Sequence, residues 1–117
     1  MNKTFTIKDN RVFRRAYSRG RSAVTPFLVV YCRPNGQKHN RLGVTVSTKL
    51  GGAVVRNRAR RRLREVFRLA QPDLRQGFDI VLVARSRAVD GPYDRLTAAF
   101  RRACRDLDLA KKREDAR

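Results

Sequence analysis

The sequence predicts an α+β sandwich, in which helices cover one mixed sheet and the elements follow the order α-β-β-α-β-α. Two observations carry this prediction. Three segments repeat their apolar residues at helical spacing, and three others are short apolar runs typical of strands. The chain has 117 residues and no internal repeat or flexible linker, so we expect one domain over residues 1–117. Its ordered core should span about residues 5–110, with a frayed tail at 111–117.

The first half of the chain predicts one helix and two strands. The helix is Asp9–Arg19, which Asp9 or Asn10 would cap at its N-terminus. The run Phe27–Cys32 is rich in β-branched and aromatic residues, which favours a strand. Leu42–Ser47 alternates apolar and small residues, as a half-buried strand does. The Pro-Asn-Gly turn between the two runs favours their pairing as a hairpin.

The second half predicts a long helix, a strand and a last helix. The long helix follows Gly51-Gly52 and ends before Pro72, with one apolar stripe. The stripe consists of Val55, Ala59, Leu63, Val66, Phe67 and Ala70. Asp79–Ala84 is apolar almost throughout, which is typical of a central strand covered on both faces. The last helix runs from about Tyr93 to Leu109.

The charge of the chain indicates a polyanionic partner. Lys and Arg number 29 against 10 Asp and Glu, which gives a formal net charge of +19. Such a charge destabilises a compact chain through self-repulsion unless a polyanion neutralises it. Of the basic residues 23 are Arg, whose guanidinium binds phosphate through two donors and stacks on bases. A GC-rich genome would produce the same bias, and the sequence does not separate the two causes.

Several classes of protein are excluded. The longest apolar runs fall far short of the ~20 residues that cross a membrane, and the N-terminus lacks the apolar segment of a secretory signal. We therefore expect a cytoplasmic protein without a membrane partner. Cys32 and Cys104 are expected to be buried thiols, although a disulfide stays open, and the lone His39 cannot complete a zinc site.

One helical segment is unusually rich in arginine. The thirteen positions from Arg56 to Arg68 hold seven arginines and one acid. Four of these arginines lie four residues apart, and like charges at this spacing repel. Phosphates along this face would relieve the repulsion, and Gly51-Gly52 would let backbone N–H groups approach an anion. A solvated charged helix, a membrane-surface helix and a reader of DNA sequence are the alternatives.

This segment and its surroundings resemble the bacterial ribonuclease P protein component. The resemblance covers about residues 5–110. It rests on four stretches: Gly51–Arg58 with Arg60–Glu65 after it, the preceding strand Arg41–Lys49, Phe13–Gly20, and Phe27–Tyr31. The last strand and helix fit in order and length but carry no distinctive motif.

The resemblance implies a subunit of a catalytic ribonucleoprotein. In that family an RNA subunit hydrolyses a phosphodiester and so removes the 5′ leader of precursor tRNA. It further implies a left-handed βαβ crossover, against the common right-handed one. Mg²⁺ would be held mainly by the RNA, with none bound tightly by the protein, and the protein alone would be monomeric. A ribosomal or ribosome-associated rRNA-binding protein is the alternative function.

The resemblance also assigns two groups of site residues. The long helix would face the catalytic RNA through Arg56, Asn57 and Arg58. That surface would be extended by Arg60, Arg61, Arg62, Arg64 and Lys49. The leader would be bound by Phe13, Tyr17, Tyr31 and Arg14. Aromatic rings among arginines can stack on unpaired bases without reading their sequence, but the residues alone leave open whether Phe13 and Tyr17 pack in the core.

We expect no catalytic residue on the protein itself. A metal-free ribonuclease needs a paired acid and base, and His39 stands alone in a loop. A two-metal nuclease needs clustered carboxylates. Asp106 and Asp108 lie on opposite helix faces, and Asp90 and Asp94 flank a turn, so neither pair converges.

Overall fold

A mixed five-stranded sheet organises residues 4–111, which are the residues that the structure, a computed structural model, describes. The strands are β1 (Phe5–Thr6), β2 (Arg21–Val24), β3 (Leu28–Pro34), β4 (Arg41–Thr45) and β5 (Phe78–Ala84). Their order across the sheet is β1-β4-β5-β3-β2. The strands β1, β4 and β5 run parallel, whereas β3 pairs antiparallel with both β5 and β2. The central position expected for the last apolar run is confirmed.

Four α-helices accompany the sheet. They are α1 (Asn10–Arg19), α2 (Ala53–Ala70), α3 (Arg87–Asp90) and α4 (Tyr93–Asp106), with short 3₁₀ turns at Thr48–Leu50 and Gln71–Asp73. Asp9 is the N-cap of α1, since its side chain accepts a hydrogen bond from the N–H of Arg11. The α+β class and the three predicted helices are confirmed. The strands β1 and β2 and the short helix α3 are additions to the predicted order.

The predicted hairpin between β3 and β4 is wrong, because β5 lies between these two strands. The chain leaving β3 turns toward β5, where Asn35 donates from its backbone to Gly77 at 2.9 Å and from its side chain to Asp79 at 3.1 Å. Arg41, at the start of β4, holds the same Asp79 carboxylate through two bonds of 2.7 and 2.8 Å. A strand that is apolar on both faces is most stable at the centre of the sheet, where helices cover both faces.

The β3 strand forms its hairpin with β2 instead. The turn is closed by Thr25, whose backbone N–H and hydroxyl both donate to the carbonyl of Leu28, at 2.9 and 2.8 Å. The four residues of β2 are exposed or half-exposed, so the sequence has no apolar run there that would predict a strand.

The parallel neighbours β4 and β5 are joined through α2. This connection is the βαβ crossover that the resemblance implies. The left-handed sense of this crossover is implied by the resemblance alone and stays a prediction.

The two faces of the sheet carry different helices. On one face Ile80, Leu82 and Ala84 of β5 join the main core with residues of α2 and α4. Phe67 and Phe100 meet there edge to face, with ring centroids 6.4 Å apart. On the other face Val81 packs under α1 with Ala16 and Ile7. Alternation along β5 therefore separates α1 from α2 by the thickness of the sheet.

Both cysteines are free and buried, as expected of core thiols. Burial raises the pKa of Cys32, and it raises the pKa of Cys104 to about 12. Each side chain therefore stays a neutral thiol at physiological pH.

The C-terminal part of the chain turns back after α4. The helix ends before the predicted Leu109, because Asp108 adopts a φ of 59° and the N–H of Leu109 returns to the carbonyl of Cys104 at 2.7 Å. Lys111 donates from its backbone to Asp73 at 2.8 Å. The rest of the predicted frayed tail, residues 112–117, lies outside the described residues. Among the described helices, none combines the length and the apolar character that a membrane span requires.

Candidate nucleic-acid interface

The start of α2 depends on the glycine pair. Gly51 has a φ of 146°, a conformation that residues with a side chain rarely adopt, and a Cβ there would lie 2.9 Å from that of Val55. Gly52 is the N-cap in an extended conformation, with open space where a Cβ would point. The first turn of α2 is thus exposed at its N-terminus, where unpaired N–H groups favour anions.

The apolar stripe of α2 faces the core as predicted. Its buried members are Ala59, Leu63, Val66, Phe67 and Ala70. Burial of this stripe fixes the rotation of the helix and turns most of the arginines outward.

A groove of about 690 Å³ lies between α2 and the β1–β4 edge of the sheet. Leu42 and Val44 of β4 line one side. The other side consists of Asn57, Arg60, Arg61, Arg64, Glu65 and Arg68, and Thr4 and Thr6 complete the rim. We call this the arginine groove. It brings four of the predicted RNA-binding residues together and adds Arg68.

Hydrogen bonds order part of the arginine groove. Arg60 donates to the side-chain oxygen of Asn57 at 3.0 Å. Arg68 pairs with Glu65 at 2.7 Å, and its hydrogen bond holds the pKa of that carboxyl below the ordinary value. Within the described residues, Arg60, Arg61 and Arg64 form no ion pair. The groove thus keeps a net positive charge for an anionic ligand.

The remaining members of the predicted RNA surface lie around the start of α2. Arg56 is half-buried, and its Nε is shielded from water without an acceptor among the described residues. A phosphate or a water molecule at this face could satisfy such a donor. Arg58 is exposed on the helix, and Lys49 is exposed in the 3₁₀ turn that precedes Gly51.

Arg62 differs from its neighbours because it is bound within the protein. Its guanidinium donates to the carbonyl of Ala88 at 3.0 Å and to that of Gly91. It thereby ties α2 to α3 and to the residue that follows it, before α4 begins. The structure therefore places Arg62 outside the arginine groove, and sequence spacing alone could not separate it from Arg61.

The aromatic residues predicted to bind the leader do come together. The rings of Tyr17 and Tyr31 meet edge to face with centroids 5.0 Å apart, and Phe13 lies 6.5 Å from Tyr17. The Tyr17 hydroxyl is 2.8 Å from that of Thr45 on β4. These three rings, which we call the aromatic cluster, line the junction of α1 and the sheet.

The three rings are not equally accessible. Phe13 packs onto β4, where a Cβ on Gly43 would come within 2.6 Å of its ring, and it joins the small core under α1. Tyr17 is the most exposed of the three, at 39%. Tyr31 is half-buried against the same small core, as Phe13 is, so Tyr17 presents the most accessible ring of the cluster.

Arg14 lies on the outer side of α1. It lines a shallow surface groove there with Arg11, Arg15, Ser18 and Arg19. This band offers phosphate contacts beside the aromatic cluster, on the next face of the same helix.

Sequence reasoning missed two residues that shape the aromatic cluster, Thr45 and Gly43. A glycine inside a strand pattern often marks a close approach of another group, so Gly43 carried a usable signal. Thr45 had none, since its partner Tyr17 is distant in sequence and the two meet only through the fold.

The residues considered for chemistry lie apart. His39 is half-buried and stacks on Phe5, with ring centroids 3.8 Å apart. Within residues 4–111, no three His, Cys, Asp or Glu side chains come together as a metal-binding group.

Known proteins are similar to this chain in both sequence and fold. The family model described as Ribonuclease P matches residues 1–108. The ribonuclease P protein component of Caldanaerobacter subterraneus subsp. tengcongensis is 39% identical over 108 residues, covering 92% of this chain and 93% of the relative. That of Natranaerobius thermophilus is 38% identical over 112 residues, covering 96% and 97%.

Two solved structures extend the similarity to three dimensions. The RNase P protein of Staphylococcus aureus has a TM-score of 0.81 and 33% identity, covering 93% of this chain and all of its own. The RNase P protein of Thermotoga maritima has a TM-score of 0.75 and 28% identity, covering 86% and 94%.

Proposed function

The chain belongs to the ribonuclease P protein family, and from this membership we propose that its two RNA-facing surfaces serve two different RNAs. The chain is a protein subunit of ribonuclease P, a ribonucleoprotein that processes tRNA. The ribosomal protein that the sequence left as the alternative is thereby disfavoured. The proposal concerns which surface meets which RNA.

The arginine groove and the start of α2 would bind the catalytic RNA. The observation that carries this part is the groove of about 690 Å³ lined by four arginines, three of them without an ion pair among the described residues. Arg56, Asn57, Arg58, Arg60, Arg61 and Arg64 would contact phosphates, with Lys49 beside the helix start. Arg62 would act indirectly, by holding α2 against α3 and Gly91.

The aromatic cluster would bind the 5′ leader of precursor tRNA. Tyr17 and Tyr31 offer ring surface to unpaired bases, and each stacked base contributes ~1–3 kcal/mol without reading sequence. Arg14 and its neighbours on α1 would neutralise the leader phosphates. A chain bound this way would hold substrates that carry a leader more tightly than mature tRNA.

The chemistry would reside on the RNA subunit. The phosphodiester would be hydrolysed there, with Mg²⁺ held mainly by RNA phosphates, because the protein surface offers arginines where Mg²⁺ prefers oxygen ligands. The protein would contribute by neutralising phosphate and placing the leader. We further propose that it works in the cytoplasm as one domain, and that the free chain is monomeric.

Reconstitution tests the proposal. Leader cleavage by a bacterial ribonuclease P RNA is measured at low magnesium with this protein, without it, and with an R60A/R61A/R64A variant. The protein should stimulate cleavage, and the variant should require much higher concentrations to do so. If the unmodified chain does not stimulate cleavage, the proposal is wrong.

A further inference from the structure

A second groove lies on the other side of α2, where that helix meets the start of α4. It has a volume of about 590 Å³. Its lining consists of Val54, Arg58, Arg61, Arg62, Glu65 and Tyr93. We call it the α2–α4 groove. Tyr93 and Val54 belong to neither the arginine groove nor the aromatic cluster.

The α2 wall of this groove is one continuous helix face. Positions 54, 58, 61 and 65 follow each other at spacings of three or four residues, so their side chains line up along the helix. At 1.5 Å per residue this row is roughly 16 Å long. A short extended segment of a partner fits a groove of that length better than a single small ion does.

Tyr93 forms the opposite wall and is held in place by Arg62. The guanidinium of Arg62 lies 5.8 Å from the centroid of the Tyr93 ring, within the range of a cation–π contact. Arg62 is itself fixed by the carbonyls of Ala88 and Gly91. The ring is therefore positioned before a ligand arrives, which lowers the entropy lost on binding.

Both the ring and its apolar neighbour face solvent. Tyr93 is 39% exposed and Val54 is 83% exposed, so each leaves apolar surface uncovered. Arg58, Arg61 and Arg62 supply three positive charges against the single carboxylate of Glu65. An exposed aromatic ring flanked by arginines has the chemistry of a site for an unpaired nucleotide, because the base stacks and the arginines neutralise phosphate.

We propose that the α2–α4 groove binds an unpaired nucleotide of the RNA subunit, with its base on Tyr93 and its phosphates near Arg58 and Arg61. This inference rests on the proposed role of α2. Arg61 lines both this groove and the arginine groove, so the two form one surface around the helix. The leader surface at α1 lies on the opposite face of the sheet. The occupant is therefore the RNA subunit rather than the leader.

The test compares two tyrosines of equal exposure on opposite faces of the sheet. Tyr93→Ala and Tyr93→Leu remove the ring, Tyr93→Phe keeps it, and Tyr17→Ala is the matched control, since Tyr17 is also 39% exposed. Affinity for a bacterial ribonuclease P RNA is measured against salt for each variant. Loss of the Tyr93 ring should weaken binding about tenfold, with an unchanged salt slope because no phosphate contact is lost. Tyr93→Phe and Tyr17→Ala should bind this RNA as the unmodified chain does.

Cross-linking gives a readout that identifies the nucleotide beside position 93 directly, and it is applied to a substituted chain that still stimulates cleavage. With p-benzoylphenylalanine at position 93, irradiation of the holoenzyme bound to precursor tRNA should join the protein to an unpaired nucleotide of the RNA subunit. A cross-link to the leader, a cross-link to a base-paired helix, or no cross-link overturns the inference. Unchanged affinity on loss of the ring also overturns it. If the unmodified chain still stimulates cleavage, either result leaves the proposed function standing.

Discussion

The hydroxyl of Tyr17 lies 2.8 Å from the hydroxyl of Thr45, a residue 28 positions away in the sequence. This bond ties the second half of α1 to β4. It also sets the Tyr17 ring at a steep angle to Tyr31, with an interplanar angle of 76°. The proposed leader surface therefore combines a polar contact between helix and sheet with the apolar packing of α1.

Separating the Tyr17 ring from its hydroxyl tests this surface. Tyr17→Phe removes the bond to Thr45 but keeps the ring, so stability should fall by at most ~1 kcal/mol and leader binding should largely persist. Tyr17→Ala should weaken binding of precursor tRNA by ~1–3 kcal/mol relative to mature tRNA. For both variants, leader binding is measured as the ratio of the holoenzyme's affinities for precursor tRNA and mature tRNA. The stability of Tyr17→Phe is measured by urea unfolding. Equal ratios for Tyr17→Ala and the unmodified chain would contradict the assignment.

Arg61 and Arg62 are adjacent in sequence but should respond differently to substitution. Arg62→Ala leaves the carbonyls of Ala88 and Gly91 without their donor, so the free energy of unfolding should fall by about 1–3 kcal/mol. Arg61→Ala should leave it unchanged within about 0.5 kcal/mol. In RNA binding, Arg61→Ala should reduce the slope of log K against log salt by about 0.7–0.9, the share of one phosphate.

Urea unfolding and salt-dependent RNA binding of the two variants provide the comparison. Each variant serves as the control for the other, because both remove the same charge from the same helix. Equal loss of stability in both would show that the contacts of Arg62 contribute nothing specific.

The two glycines before α2 should also separate stability from binding. Gly51→Ala places a side chain at a φ of 146° and against Val55, so the free energy of unfolding should fall by about 1–3 kcal/mol. Gly52→Ser should keep or raise stability, since serine is a favourable N-cap and the position has open space. Its side chain should nevertheless weaken RNA binding if the backbone there approaches a phosphate. Unaltered RNA affinity of Gly52→Ser would show that no such approach occurs.

Asp9 links the stability of α1 to pH. Hydrogen bonds from the side chain and then the backbone of Arg11 hold the pKa of Asp9 below its ordinary value of 3.8. A lowered folded-state pKa means that the stabilisation is fully present above pH 3.8 and is lost as the pH falls through the lower folded value. Asp9→Asn keeps a capping oxygen but cannot titrate, so acid unfolding should depend less steeply on pH below 4. Asp9→Ala should be less stable at neutral pH as well.

Thermal unfolding from pH 2 to pH 7 measures both effects. Asp73→Asn is a suitable control, because Asp73 forms an exposed ion pair with Arg101 away from α1. If Asp9→Asn and Asp73→Asn change the dependence of the unfolding temperature on pH equally, the pH effect is not specific to Asp9.

Local patterns predicted the helices well because each signal lies within the helix itself. The apolar stripe of α2 and the capping residue of α1 are readable without knowledge of the fold. The run Asp79–Ala84 likewise predicts a central strand, because it is apolar on both faces after Asp79, and the observed strand spans Phe78–Ala84. The two-residue β1 and the largely exposed β2 carry no such signal, since their pairing partners stabilise them.

Pairing and side-chain direction were the parts that sequence reasoning could not reach. The expected hairpin failed because Asn35 and Arg41 both bind Asp79, which lies 38 or more residues further along the chain. The site was predicted by residue type, and the aromatic cluster did assemble. The separation of Arg62 from the other arginines depends on the carbonyls of Ala88 and Gly91, which no periodicity on α2 reveals.

Neighbouring residues of β3 and β5 point to opposite sides of the sheet, so the two proposed RNA surfaces can fail one at a time. A chain damaged only on the α1 side would still occupy its place on the RNA subunit. In a cell that makes both the intact chain and this damaged chain, each damaged copy would occupy one RNA subunit without binding the leader. It would therefore act as a competitive inhibitor of the intact chain. A chain damaged on α2 would stay unbound, and an intact copy would compensate for it. The sheet would thus make the first kind of lesion genetically dominant and the second recessive.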